Sequence, residues 1–150
     1  HKVFSEAEIE SRCEINLDNY RKTVHIEAQT MSDMARKQIL PAVESYAAKL
    51  AETLATKKAL SPLLGGKYET SLLTKLSGLT DDIAGAADAL EASLAAYHKI
   101  GDVTEAACFI RDEVLPKMDA LRAPADEAER FTAAEYWPFP TYGDLLFGVK

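Results

Sequence analysis

The sequence predicts an all-α fold, an antiparallel bundle of three long helices, or four if Pro41 or Pro124 divides one of them. Apolar residues recur every three or four positions, with an occasional step of five, over residues 9–54, and again at steps of three and four in two later segments, which is the spacing of one helix face. The connections between the segments are short, so successive helices should be antiparallel. An extended tail rich in aromatic residues and proline is expected to follow the bundle.

The first helical segment, about residues 5–60, is expected to organise the rest of the fold. Ser5 followed by Glu8 matches the capping box of a helix start. Unbroken, the segment would extend roughly 80 Å, which is more than the other helices can cover. We therefore expect a fold-back at Pro41 or an apolar face buried against something outside the chain. The apolar stripe continues past Pro41, which favours a kink; a straight helix would need a solvated or locally widened turn there.

Two further helices are expected after this segment. Residues 61–66 (SPLLGG) contain a proline and a glycine pair and mark the clearest break in the chain. The second helix is predicted over about residues 67–99. The third follows Asp102, which is placed to cap it, and contains Pro116 and Pro124. Two prolines within eight residues make a break near Pro124 plausible, with a short fourth helix after it.

Composition and charge indicate one globular domain over residues 1–150. The chain is 47% hydrophobic and 27% charged, with a net charge of −7. Residues 60–150 hold eight basic and fifteen acidic side chains and account for the whole excess. This balance argues against nucleic-acid and anionic-membrane partners. Neither a spanning apolar run nor a leader is visible, so we expect a cytoplasmic protein, and the start without methionine hints at a piece of a longer one.

The sequence contains no recognisable catalytic, cofactor or metal motif. His25 and His98 lack the Glu-x-x-His spacing of a di-metal bundle and are expected to be ordinary helix-surface or helix-end residues. Cys13 and Cys108 fall at apolar positions of their helices, which predicts buried, reduced thiols. Gly65 and Gly66 precede a lysine without phosphate-loop spacing and are expected to form a turn.

The C-terminal tail has the highest density of aromatic residues in the chain. Two prolines should hold its first half extended. Its rings could staple the tail to its own bundle or dock on another surface, since Trp and Tyr dominate interface energetics, and both roles could apply at different residues. The candidate packing or docking residues are Tyr136, Trp137, Phe139, Tyr142, Leu145, Leu146 and Phe147.

At these residues the sequence resembles a known family. Residues 137–147 (WPFPTYGDLLF) resemble the extreme C-terminus of type III glutamine synthetases. Three segments, residues 14–20, 26–31 and 34–43, are similar to the helical C-terminal region of the same family, and the last of them contains the motif KQILPA at 37–42. Residues 113–126 match that region too. The resemblance covers essentially the whole chain.

The resemblance implies that the chain is a C-terminal fragment of a larger enzyme. The family makes glutamine from glutamate, ammonia and ATP in a β-rich catalytic domain upstream, and the parent is expected to use ATP and Mg. None of that domain's motifs is present here, so no catalytic, cofactor-binding or metal residue is assigned, and the fragment alone is predicted to be inactive. The expected partners are the catalytic domain and neighbouring subunits, because the family forms a dodecamer of two hexameric rings.

Two functions remain open at this stage. The first is a non-catalytic domain of a type III glutamine synthetase that supports subunit architecture and assembly. The second is a free-standing helical module that binds a protein through its aromatic tail or its first helix. A small metal or cofactor bundle ranks below both.

Overall fold

The computed structural model describes residues 3–140 and 142–148, and within these residues it is all-helical, without a strand. Three long rods and one short helix make up the fold. The first rod consists of α1 (Glu6–Met34), a π-helical turn (Ala35–Ile39) and α2 (Leu40–Leu60); the second rod is α3 (Lys67–Tyr97); the third consists of α4 (Val103–Phe109), a second π-helical turn (Ile110–Val114) and α5 (Leu115–Phe131); α6 is Tyr142–Phe147. The predicted all-α bundle is confirmed.

Both predicted helix starts have the capping interactions that the sequence suggested. The backbone N–H of Glu8 donates to Ser5 Oγ, and the Glu8 carboxylate accepts from the Ser5 backbone N–H at 2.7 Å, so the capping box is complete. Asp102 accepts from the Glu105 backbone N–H at 2.8 Å and begins α4. These bonds satisfy N–H groups that have no partner within the helix.

Contacts at its two ends show that α3 runs antiparallel to the first rod. Near its start, Glu69 forms an ion pair with Lys57 close to the end of α2. At its end, the ring of Tyr97 lies on the ring of His25 in α1, with centroids 5.0 Å apart. Because α3 reaches back only to this level, the first turns of α1 extend beyond it.

The third rod returns alongside α3 and completes the bundle. The ammonium of Lys75 in α3 pairs with Glu127 of α5 at 2.5 Å and lies over the ring of Phe131, so the end of α5 meets the first half of α3. The core between the rods contains apolar side chains from all three. Its largest fully buried side chains are Leu76, Ile83, Leu90, Ile110, Leu121, Val43 and Val114.

The first rod passes Pro41 as one continuous helix with a widened turn, not a fold-back. The N–H of Leu40 donates to the carbonyl of Ala35, five residues back. A widened turn displaces the carbonyl that the Pro41 ring would otherwise strike, and so accommodates a residue without an N–H. The stripe of apolar positions advances by five from Met34 to Ile39, and this step coincides with the widened turn.

The other two internal prolines behave differently from each other. Pro116 follows a second widened turn, in which the N–H of Leu115 donates to the carbonyl of Ile110. Pro124 lies inside α5, which continues to Phe131. The alternative of a break near Pro124 is therefore wrong. Among the described residues there are three long rods, and neither Pro41 nor Pro124 divides one of them into two separate rods.

Two further expectations need correction. Cys13 and Cys108 are free thiols, as expected, but both are exposed. Cys13 lies in the exposed first turns of α1, beyond the end of α3 and beside the start of α4, and Cys108 lies next to the buried Ala107 in α4. The tail is also not extended throughout, because its second half forms α6. Residues 132–140, which include both tail prolines, are non-helical.

Candidate functional site

An apolar groove lies between the middle of the first rod and α5. Its volume is about 510 Å³, and apolar side chains from three segments of the chain line it. The first rod contributes one wall, α5 the opposite wall, and the tail closes it with two aromatic rings. The apolar lining residues are Ile26, Met31, Met34, Ala35, Ile39, Leu121, Ala125, Trp137 and Phe139.

The rim of the groove is acidic. Glu27 borders it on α1, and Asp126 and Glu129 border it on α5. The one basic residue in the lining, Arg122, donates to Asp126 at 3.2 Å. Within the described part of the chain, Glu27 and Glu129 form no ion pair. An apolar floor therefore lies beside two uncompensated carboxylates.

The first half of the predicted tail site packs on the bundle. Tyr136 lies against Tyr46 of α2 with ring centroids 5.4 Å apart. Trp137 contacts the hydrophobic core and meets Phe139 edge-on at 6.0 Å. The backbone N–H groups of Tyr136 and Trp137 both donate to the carbonyl of Ala133, which turns the chain back toward the groove. These three rings are partly buried.

The second half of the predicted tail site faces solvent. Leu145, Leu146 and Phe147 of α6 are 69%, 70% and 84% exposed. Tyr142 begins α6, and its side chain lies outside the described residues. The structure thus brings three of the seven predicted residues onto the bundle and leaves three uncovered. Their use in docking stays a prediction.

The start of α1 is a second uncovered apolar surface. Every residue from position 6 to position 16 is exposed, because α3 ends before this level. Ile9 and Ile15 are each 56% exposed and stand among several glutamates. Together with α6 they form what we call the uncovered surfaces: residues 6–16 of α1 and residues 145–147 of α6.

The two histidines form a contact pair that sequence spacing could not reveal. The ring of His25 in α1 meets that of His98, just after α3, edge-on at 4.8 Å, in addition to its stacking on Tyr97. The Tyr97 hydroxyl accepts from Arg21 at 2.9 Å. Burial lowers the pKa of His25, and the nearby His98 lowers it further. Nδ1 of His25 is buried and has no partner among the described residues.

This pair predicts a loss of stability on mild acidification. Because the pKa of His25 is lowered by burial in the folded state, the folded chain binds a proton there less readily than the unfolded chain, in which a histidine has its ordinary pKa of about 6.5. Lowering the pH from about 7.5 to about 5.5 should therefore favour the unfolded state. Urea unfolding at the two pH values checks this. His25→Gln should reduce the difference in unfolding free energy between the two pH values. An unchanged difference would contradict the assignment of the effect to His25.

Two functional features escaped prediction from the sequence. The groove combines residues more than 100 positions apart, and no local motif links them. The histidine contact depends on the register between α1 and α3, although both residues lie near apolar stripe positions.

The described residues contain neither a metal-binding cluster nor a membrane span. Among residues 3–140 and 142–148, no group of three or more His, Cys, Asp or Glu side chains could hold an ion. None of the described helices is long and apolar enough to cross a bilayer.

Comparison with known proteins was informative along the whole chain. Residues 1–58 match the family model described as the glutamine synthetase C-terminal domain. A glutamine synthetase of Butyrivibrio fibrisolvens is 33% identical over 150 residues, which is 100% of this chain and 21% of that protein. A glutamine synthetase of Bacteroides fragilis is 30% identical over 97% of this chain and 21% of its own length.

A third relative extends the comparison beyond bacteria. The type-3 glutamine synthetase of Dictyostelium discoideum is 26% identical over 97% of this chain and 20% of its own length. The chain thus spans about a fifth of the length of the curated relatives it matches. Together the matches confirm the resemblance that the sequence motifs indicate: the chain is similar to the C-terminal domain of glutamine synthetases, a type-3 enzyme among them.

Proposed function

We propose that the chain is a non-catalytic helical domain of a type III glutamine synthetase, which supports subunit architecture and oligomer assembly. Its partners would be the catalytic domain of the parent and neighbouring subunits. The parent would make glutamine from glutamate, ammonia and ATP, with Mg as the expected metal. The proposal rests on the relationship to glutamine synthetases, of which the chain spans about a fifth.

The observation that best supports a docking role is the set of uncovered surfaces. Ile9 and Ile15 are more than half exposed in the first turns of α1, beyond the end of α3, and Leu145, Leu146 and Phe147 are exposed on α6. Single exposed apolar residues are ordinary, but several of them on the exposed start of α1 and on α6 favour an interaction surface. Burial of such side chains is the main favourable term in protein association.

The bundle itself suits a rigid support. Its rods are linked at the surface by charge-assisted contacts between helices, of which the contact of Arg36 with Asp88 and Glu91 is the most extensive. The Ser32 hydroxyl donates to the same Glu91 carboxylate at 2.5 Å. These contacts fix the first rod against α3 close to its widened turn. A partner that holds α1 would therefore be held in a defined orientation to the rest of the domain.

A pair of substitutions on α1 tests the assembly role in the full-length gene product. Ile9→Asp with Ile15→Asp places two charges on the surface proposed to be buried. We expect the assembled species to dissociate into smaller ones, because burying an unpaired charge costs several kcal/mol. Mass photometry at fixed protein concentration measures the distribution.

Leu63→Asp is the matched control. Leu63 is 95% exposed in the turn between α2 and α3, so the same kind of charge is introduced away from the uncovered surfaces. The control should leave the mass distribution unchanged. Two results would refute the proposal. One is a natural gene that encodes no catalytic domain upstream of these residues, and the other is an Ile9/Ile15 variant that assembles like the parent.

The non-catalytic part of the proposal has a separate test. The isolated chain, supplied with glutamate, ammonia, ATP and Mg, should form no glutamine above a heat-denatured sample. Turnover by the chain alone would place chemistry in these residues. The proposal also includes a cytoplasmic location, which the two free thiols support, since thiols in that compartment are kept reduced.

The second candidate function is a free-standing interaction module. The exposure of α6 favours it, because a short helix with Leu145, Leu146 and Phe147 on its surface is suited to a groove on another protein. In that case substitutions in α6 would abolish partner binding while the chain remained independent of any glutamine synthetase. The residue that precedes His1 in the natural gene separates the two candidates.

A further inference from the structure

We propose that the groove between the first rod and α5 is a binding site for a small cationic amphiphile, a molecule with an apolar body and an ammonium or guanidinium group. This inference goes beyond the scaffold role and does not depend on it. The volume of about 510 Å³ lies within the range of small-molecule pockets. The uncovered surfaces of α1 and α6 are separate from the groove.

The floor of the groove suits an apolar body. Met31 and Met34 contribute flexible, polarizable side chains, which adapt to ligands of different shape. Leu121 and Ala125 line the opposite wall and belong to the buried core, so that wall is fixed. Few polar groups at the floor can hold water by hydrogen bonds. An apolar ligand that displaces this water therefore binds favourably.

The rim determines the charge of the ligand. Glu27, Asp126 and Glu129 contribute three carboxylates to the lining, and Arg122 contributes one cation, so the groove has a net charge of −2. Arg122 is already bonded to Asp126. An anionic head group would meet uncompensated repulsion there, whereas a cationic one could pair with Glu27 or Glu129. The aromatic faces of Trp137 and Phe139 offer a second favourable contact to a cation.

The groove also contains its own reporter. Trp137 is the single tryptophan of the chain, and it lines the groove. Its fluorescence can therefore be attributed to one location. The test titrates the full chain with decyltrimethylammonium and, separately, with decyl sulfate, both below their micellar concentrations. The two probes share one apolar tail and differ in the sign of the head group.

We expect saturable changes in Trp137 emission, with a dissociation constant for decyltrimethylammonium that is at least about fivefold lower than that for decyl sulfate. Far-UV circular dichroism should stay constant through the titration, which excludes unfolding by the probe. Equal responses to both probes would overturn the proposal. A second outcome would also overturn the proposal: Trp137 emission changes when the protein is concentrated without probe, and the concentrated protein no longer binds the probe. A second copy of the chain would then occupy the groove.

The first variant removes the rim charge. Glu27→Gln with Glu129→Gln should reduce the preference for the cation to about twofold or less. The control, Glu44→Gln with Glu105→Gln, changes the net charge equally at exposed positions outside the groove and should retain the preference. If both double variants lose the preference equally, the effect reflects overall charge, and the proposal fails.

The second variant supplies a cation from the chain itself. Thr30 is exposed and lines the groove one turn from Glu27. Thr30→Arg should pair with the rim and weaken binding of decyltrimethylammonium by about tenfold. Gln29→Arg, at the adjacent exposed position outside this groove, is the matched control and should bind like the parent. Unchanged binding by the Thr30→Arg protein would contradict the assigned location.

Discussion

Leu76→Ala is expected to destabilise the domain by about 3–5 kcal/mol. Leu76 is at 0% exposure in the middle of α3, the rod that contacts both α2 and α5. Removing its branched end leaves a cavity that three packed rods cannot close by a local shift. Since a domain of this kind has a total stability of about 5–15 kcal/mol, the substitution should remove a large share. Urea unfolding monitored by circular dichroism measures the change in midpoint.

Leu63→Ala provides the control with identical chemistry. Leu63 lies in the turn before α3 and is almost fully exposed, so its truncation should change stability by less than about 0.5 kcal/mol. If Leu63→Ala and Leu76→Ala lowered the free energy of unfolding by similar amounts, α3 would not lie at the centre of the fold. A lower slope of the unfolding curve for the Leu76 variant alone would indicate a change in the unfolded or native ensemble.

Ala87→Leu is expected to cost about 1–3 kcal/mol by overfilling the core. Ala87 is completely buried on α3, where its small side chain sets the distance to the neighbouring rods. Leucine and alanine have similar helix propensities, so the loss reports packing and not helix formation. The same urea measurement applies. A thermal scan should show the transition at lower temperature.

Ala92→Leu separates packing from the effect of a larger side chain. Ala92 is on the same helix but exposed, and the extra carbons there should extend into solvent. Its stability should remain within about 0.5 kcal/mol of the parent. If Ala87→Leu were equally harmless, the interface around Ala87 would have to be loose, contrary to its complete burial.

The sequence was sufficient to predict the rods because three kinds of local signal agree. The apolar stripe gives each rod its buried face, Ser5 and Asp102 mark helix starts, and the proline and glycines of residues 61–66 mark the main break. These signals act over a few residues, and the forces that produce them are backbone hydrogen bonds and local side-chain packing. No knowledge of distant contacts is needed.

The errors arise where burial depends on the length of a neighbouring element. Cys13 lies on the apolar stripe of α1, but α3 is too short to cover that level, so the thiol is exposed. Two nearby prolines favour a break near Pro124, yet α5 continues through this residue, because tertiary packing of Leu121 and Ala125 outweighs one missing hydrogen bond. The position of a residue on the apolar stripe does not show whether a neighbouring helix covers it, or whether packing carries the helix past a proline.

The candidate sites depend even more on tertiary structure. The tail aromatics were identified from composition, but the sequence could not assign Trp137 to the groove and Phe147 to solvent. The groove is lined by residues of α1, α5 and the tail, and which of their side chains share one groove depends on how the helices pack, which spacing along the chain does not encode.

The widened turn before Pro41 has a consequence for how this domain can vary in length. In a regular helix each residue rotates the chain by about 100°, so deleting a residue would turn every following side chain away from its partners. Residues 35–39 already hold one more residue in a turn than an α-helix does. Deleting one of them together with Pro41→Ala would restore the ordinary pitch and keep Val43 and Leu50 facing α3. This turn is therefore the point at which the first rod can lose a residue without losing the alignment of its two halves.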